Sequence, residues 1–191
     1  SAIANAEING EKLSDEFLDG SWLLIIFAGN DTTRNTMSGG IKLLHENQKQ
    51  KEMLIDNLEL LPNFINETVR CVSPVIHMRR TSLEETEING QKIGPYEKIA
   101  LWYGAANRDP DVFEDPDKFN ILRDNADKHL AFGIGRHTCI GKPVALMQLQ
   151  EFYSQFLTRF QDFEMNGDWK VAPNNFVHAI QEMPIKFSPS K

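Results

Sequence analysis

Cys139 is the residue in this sequence best placed to do chemistry. It lies in the stretch Ala131 to Gly141, AFGIGRHTCIG, where Gly133, Gly135 and Gly141 permit backbone angles closed to other residues. The chain can therefore fold tightly around the Cys139 sulfur and leave one side open. Beyond Gly141, Ala145, Leu149, Phe152, Phe156 and Phe160 recur at spacings of three or four, the period of an amphipathic helix. Cys139 then falls at or just before a helix N-terminus, where free N–H groups and the positive end of the helix dipole favour an ionised sulfur.

Three plainer readings compete. A lone intracellular cysteine is commonly a small buried hydrophobe. A zinc site fails on spacing, because His137 and Cys139 are the only close pair and no CxxC or second cluster completes four ligands. A nucleotide loop fails as well, since Thr138 stands where the third glycine belongs. What remains is one thiolate ligand for a group that brings its own equatorial ligands, and haem is the leading candidate.

FGIGRHTCIG resembles the cysteine-loop signature of the cytochrome P-450 family, the haem-thiolate monooxygenases, in its Phe, glycines, His, Cys and final Gly. The resemblance implies that Cys139 is the axial ligand to the iron of haem b (iron protoporphyrin IX). It also implies that Phe132 packs near the proximal haem face with Gly133 in the same turn, and that His137 reaches a haem propionate. An axial thiolate pushes electron density onto iron and favours O–O cleavage.

A second segment sits inside a long apolar pattern. Ser14 can cap a helix with Asp15 and Glu16 in its first turn, and the periodicity runs to about Leu44. Within it, AGNDTT (Ala28 to Thr33) is a run of poor helix formers in a stretch that reads as buried. One reading is a local bulge, with Thr hydroxyls bonding to carbonyls one turn earlier. The other is that AGNDTT is similar to the oxygen-binding segment of the family's central helix. On that match Ala28 and Gly29 lie over the haem and leave room for dioxygen, Asp31 relays protons, and Thr32 hydrogen-bonds the bound oxygen. Such chemistry needs a positioned proton donor. Ile25, one turn earlier, would face substrate.

The remaining elements hold these two segments in place. A charged surface helix is expected at about 47–57, and Pro62 opens a third helix carrying Glu67 and Arg70 on one face. A lone pair at that spacing is commonly a solvated salt bridge. ETVR, however, resembles the family's ExxR motif, and the resemblance makes Glu67, Arg70 and Arg123 (in FNILR) a buried structural network. Cys71 is read as core. Pro74 ends the helix, and Val75 to Arg80 reads as a strand. The family pattern puts Arg80 on a haem propionate, with Arg79 the alternative by one residue, while a strand-edge arginine in solvent is the plain reading. Val75, Ile76 and Met78 would line the substrate pocket, and Phe176 and Val177, beside His178, would form a last substrate-contacting turn. Asn89-Gly90 and Asn166-Gly167 signal hairpins. His129 is read as structural, with a proximal hydrogen-bonding role as the alternative.

With 191 residues and a net charge of −7, the chain can bury a real core, is a poor partner for nucleic acid and is not drawn to an anionic membrane surface. Its strongest apolar run, Trp22 to Gly29, is too short for a membrane span, and no signal-peptide pattern opens the chain. Two cysteines make no disulfide framework, and a working thiolate fits a reducing compartment, so the expected location is cytoplasmic. The fold expected is mainly α (α+β): the C-terminal helical portion of a cytochrome P-450, with small β-sheets and a cysteine-ligand loop. On this reading residues 1–191 are the C-terminal portion of one domain whose N-terminal portion is absent. The resemblance implies a monooxygenase that uses dioxygen to hydroxylate an apolar small molecule, lipid, sterol side-chain or terpenoid-like. Electrons would come from NAD(P)H through a ferredoxin reductase and ferredoxin. The alternative is a truncated remnant that folds or associates with another chain without turnover.

Overall fold

A computed structural model describes residues 3–189. Five helices carry the architecture: Asp15–Glu46 (α1), Gln48–Asp56 (α2), Leu61–Val72 (α3), Tyr103–Ala106 (α4) and Lys142–Arg159 (α5). Ser14 caps α1 by accepting the Phe17 N–H at 3.3 Å, with Asp15 and Glu16 in the first turn. The helix then runs unbroken through AGNDTT. The Thr32 hydroxyl donates to the Ala28 carbonyl and the Thr36 hydroxyl to that of Thr32, both at 2.8 Å, as the back-bonding reading anticipated, but without a bulge.

The two halves of α1 have different environments. Every residue from Trp22 to Asn30 is exposed, whereas Thr33, Asn35, Thr36, Gly39, Gly40, Ile41 and Leu44 are buried. The expectation that AGNDTT is buried is corrected on this point: Ala28, Gly29 and Asn30 stand open, Asp31 and Thr32 are half-buried, and only Thr33 lies inside. Burial thus begins at the last residue of the segment, and further along α1 Val72 of α3 lies against Gly39 and Tyr153 of α5 against Gly40.

α1, α3 and α5 enclose the core around Tyr153. Its ring meets Phe64 edge-on at 4.7 Å, and its hydroxyl donates to the Thr36 carbonyl at 2.9 Å. The buried stripe of α5 is Leu149, Tyr153 and Leu157, while Phe152 and Phe156 flank it half-buried. That differs from the phenylalanine stripe read from the spacing, because both rows repeat at helical period and the tyrosine alone reaches an acceptor on α1. α2 is largely on the surface, yet Lys51 and Leu54 are buried. Lys51 Nζ donates to the Phe163 carbonyl at 3.0 Å, and burial pulls its pKa down against the neighbouring Asp162.

The strands form small antiparallel pairs: Glu7–Ile8 (β1) with Glu11–Lys12 (β2), His77–Thr81 (β3) with Lys98–Trp102 (β6), and Thr86–Ile88 (β4) with Gln91–Ile93 (β5). β3 starts two residues later than expected, because Ser73 leaves α3 in the left-handed region (φ 42°) and Val75 and Ile76 pair elsewhere. Asn89 and Gly90, at φ 48° and 79°, close the β4–β5 hairpin as expected. Asn166-Gly167 does not close a hairpin. Asp162–Met165 (β7) pairs with Ile185–Ser188 (β10), and between them Lys170–Ala172 (β8) pairs with Ala179–Glu182 (β9). The Asn166 N–H donates to the Pro184 carbonyl, which ties that turn to the β9–β10 connection instead.

Gly40 marks the tightest approach in the core. A Cβ there would fall inside van der Waals contact of the Tyr153 hydroxyl and 2.9 Å from Thr68 Cγ2. Gly40→Ala should cost about 2–3 kcal/mol of unfolding free energy. In urea denaturation the Gly40→Ala/Tyr153→Phe double variant should lose less than the sum of the two single losses, because the clashing oxygen is gone.

Candidate functional site

The cysteine loop is built from its backbone. Gly133 N–H donates to the Leu130 carbonyl at 2.8 Å, and Gly133 and Gly135 adopt φ 70° and 69°. A Cβ on Gly133 would approach the His137 carbonyl oxygen to 3.1 Å, so glycine is required twice over, by angle and by space. Gly135–His137 makes one 3-10 turn, and the Thr138 N–H donates back to Gly135. Cys139 N–H donates to the Phe132 carbonyl at 2.8 Å, and the Cys139 carbonyl accepts the Lys142 N–H at 3.2 Å. These bonds fix the residue from both sides while its side chain stays exposed. Cys139 lies just before α5, in the turn that leads to Gly141. The loop residues Ile134 and Ile140 are 74% and 98% exposed, so the loop presents apolar side chains as well as an open thiol. His137 is exposed, and Phe132 is half-buried with Lys142 Nζ 5.4 Å from its ring centre.

Beneath the loop lies the ion network. Arg70 donates to both Glu67 carboxylate oxygens, at 2.7 and 2.8 Å, and Arg123 Nε reaches the same two at 3.2 Å. The Asn120 N–H adds a bond to Glu67 at 2.9 Å. The remaining guanidinium hydrogens go to the carbonyls of Asn107, Glu114, Asp115, Pro116 and Lys118. Glu67 and Arg70 have no exposed surface. Burial opposes the Arg70 charge, but the hydrogen bonds and charge of Glu67 outweigh it, and its pKa is held above the ordinary value. Cys71 touches this network, with Sγ 3.2 Å from Arg70 Nη2. Burial, reinforced by the Glu67 charge, pushes its thiol up to about 12, which leaves it protonated and inert.

On α1, Asp31 is held by Arg34 at 2.9 Å, and Thr32 directs its proton to Ala28. Arg34 was missed in the sequence, although its position three residues on is a helical pairing distance. A Cβ at Gly29 would meet nothing within 4 Å, and Ile25 is exposed. Among the described residues, no hydrogen bond or ion pair joins Asp31 or Thr32 to the cysteine loop. The segments expected to contact substrate do come together. Val75 bridges Val177, the Ile76 N–H donates to the Phe176 carbonyl at 2.8 Å, and the Phe176 ring stacks 6.0 Å from Phe27 of α1. Val177 itself is turned into the core at 3% exposure, so Phe176 is the member of that pair left facing outward. On β3, Met78 and Arg80 share one face; Arg80 is half-buried and Arg79 exposed, and neither forms a salt bridge among the described residues.

Among the described residues no group of three or more His, Cys, Asp or Glu could hold a metal ion by itself. The donor set is one exposed thiol on a glycine-shaped loop with apolar borders. It fits a flat apolar group that carries its own metal. A profile of the cytochrome P450 family matches residues 2–187. The chain belongs to that family. The linalool 8-monooxygenase of Pseudomonas putida is 38% identical over 98% of this chain and 46% of the relative. The steroid C26-monooxygenase of Mycolicibacterium smegmatis is 38% identical over the whole of this chain and 48% of the relative. Among solved structures, cytochrome P450-153 from Novosphingobium aromaticivorans superposes with a TM-score of 0.86 at 38% identity, over 95% of this chain and 45% of that one. A substrate-free cytochrome P450 from Mycobacterium marinum gives 0.91 at 29% identity, over 100% and 49%. The chain thus spans about half the length of the relatives it matches. The family implies a haem cofactor, which the cysteine loop of this P450 chain fits. Among the described residues no helix is long and apolar enough to cross a membrane.

His129 is the one buried group at this loop left incompletely bonded. Its Nδ1 accepts the Ala131 N–H at 3.3 Å, so Nε2 carries the hydrogen, and that atom has no partner among the described residues. Burial, helped by the charge of Lys142, pushes its pKa down from 6.5 to about 4. The unfolded chain therefore binds the extra proton more readily, and this group's stabilisation is complete above pH 6.5 and lost as pH falls towards 4. His129→Asn, which keeps an acceptor for Ala131, should remove up to about 3 kcal/mol of the pH dependence of urea unfolding across that window.

Proposed function

We propose that this chain supplies the thiolate side of a haem monooxygenase that hydroxylates an apolar small molecule, using dioxygen and electrons from a ferredoxin and its NAD(P)H-linked reductase. The observation that carries the reading is the exposed Cys139 side chain, held by backbone hydrogen bonds on a loop that only glycine can shape. When bound, haem would supply the oxygen activation, and Cys139 as its thiolate ligand would donate electron density to the iron.

The chain's own residues bind, orient and deliver protons. Cys139 would ligate the iron, Phe132 and Gly133 would pack against the haem, and exposed His137 and half-buried Arg80 would pair with its propionates, neither forming a salt bridge among the described residues. Arg80 is favoured over Arg79 because it shares a strand face with Met78. Ala28 and the open space at Gly29 leave room for dioxygen. The Thr32 oxygen is free to accept a hydrogen bond while its own proton rests on Ala28, and Asp31, tied to Arg34 and half-exposed, exchanges protons with solvent. Ile25, Val75, Ile76, Met78 and Phe176 form an apolar wall against substrate, with Val177 behind them. Relatives named for linalool, a steroid and methyl-branched lipids support a terpenoid, sterol or lipid substrate. A ligand thiol that must stay reduced supports a cytoplasmic location.

The open apolar face of α1, which includes Leu23, Leu24 and Ile26 at 65–71% exposure, favours a second reading. In that reading the chain folds but turns over only when another chain covers this face. The test is the absorption spectrum of the chain reconstituted with haem, reduced and under carbon monoxide, beside Cys139→Ser. The proposal expects a thiolate-type carbonyl spectrum that the variant loses. A spectrum unchanged by the substitution refutes Cys139 as ligand, and failure of both chains to hold haem supports the second reading.

A further inference from the structure

Arg70 faces Glu67 on one side and backbone carbonyls on the other. One of those carbonyls belongs to Asn107, the residue that ends α4, and Asn107 is fully buried. Each of its four polar groups has its own partner, drawn from α3, α4 and the start of the cysteine loop. Its N–H donates to the Tyr103 carbonyl at 2.9 Å, closing α4. Its carbonyl accepts Arg70 Nη1 at 2.7 Å. Nδ2 donates at 2.8 Å to Ser73 Oγ, which itself donates to the Arg70 carbonyl at 2.8 Å. Oδ1 accepts the Leu130 N–H at 2.6 Å. The side-chain amide has one possible orientation, because the Leu130 N–H can only donate.

Leu130 is where the cysteine loop begins. Its carbonyl takes the Gly133 N–H, at the first left-handed glycine, and one residue before that glycine the Phe132 carbonyl takes the Cys139 N–H. α4 touches the same place a second time: a Cβ on Gly133 would lie 3.6 Å from the Tyr103 hydroxyl. The short α4 and its capping asparagine therefore form a shelf between the ion network and the loop.

We infer that Asn107 is a positioning residue for Cys139: its backbone carbonyl is anchored by Arg70 of the Glu67–Arg70 pair, and its side-chain Oδ1 holds the backbone of the cysteine loop at Leu130. Its importance for turnover rests on Cys139 being the haem ligand, but the coupling itself is a property of the protein without haem. Two variants separate it from general stabilisation. Asn107→Leu keeps the volume and removes both side-chain bonds. Ser73→Ala removes the partner of Nδ2 and leaves the bond to Leu130.

The experiment is native-state amide hydrogen exchange on the haem-free chain, with each variant compared at matched global stability. Leu130, Gly133 and Cys139 amides should exchange roughly tenfold faster in Asn107→Leu and at the native rate in Ser73→Ala. Equal exchange of these amides in the two variants would overturn the inference. If Asn107→Leu does not fold, Asn107→Asp, which retains the acceptor, takes its place: native protection at Leu130 supports the inference and lost protection overturns it. Inability of the chain to bind haem leaves this result untouched, and a negative result here leaves Cys139 as ligand untouched.

Discussion

One buried carboxylate organises this half of the fold. Glu67 sits without solvent between two guanidinium groups, and a carboxylate taken out of water in that way persists only if every lone pair is satisfied. Two arginines satisfy it and bring a charge too many. The chain answers by bending the segment from Asn107 to Lys118 so that its carbonyls point inward at the surplus guanidinium hydrogens. A stretch with little regular structure thereby acquires a single conformation. Its shape is dictated by hydrogen-bond accounting and not by helix or strand propensity.

The same network separates a rigid side from an open one. Towards α3, α4 and the cysteine loop, bonds are short, buried and shared, and Cys139 inherits a fixed position from them. Towards the N-terminal half of α1, Trp22 to Asn30 stand exposed, with the Phe176 ring stacked against Phe27. A ligand-holding loop must be preorganised, because the cost of ordering it is otherwise charged against every binding event. Under the proposed function this exposed half of α1 meets a planar group and an apolar substrate, and such a surface must instead be accessible. The division of α1 at Thr33, exposed before it and buried after, is where these two demands meet.

Local signals were readable from the residues alone. Ser14 with two acids names a helix start, Asn89-Gly90 names a tight turn, and three glycines around one cysteine name a loop. Signals that need a distant partner were not. Glu67 and Arg70 announce themselves by spacing, but Arg123 lies far along the chain and is linked to them only through the family resemblance. Asn166-Gly167 has the composition of a hairpin turn, yet β7 finds its partner at β10, a pairing decided by the non-local bond to Pro184. On α5 the phenylalanine row and the Leu149–Tyr153–Leu157 row share one periodicity, and only the Tyr153 hydroxyl's acceptor on α1 selects between them. Burial of the AGNDTT segment was overstated because apolar composition does not reveal what is present to cover it. Asn107 carried no local signal at all, since its value lies in partners from α3, α4 and the start of the cysteine loop.

The central claim is that the Glu67 charge, and not merely its volume, holds this arrangement together. Equilibrium urea unfolding of Glu67→Gln beside the native chain tests it directly, because the substitution keeps the size while removing the charge and one of the two acceptor oxygens, which leaves two buried guanidinium groups without their counter-ion. The account predicts a loss of about 3–5 kcal/mol, or a chain that no longer folds cooperatively. A loss below about 1 kcal/mol would contradict it, and would return the network to the rank of an ordinary surface ion pair.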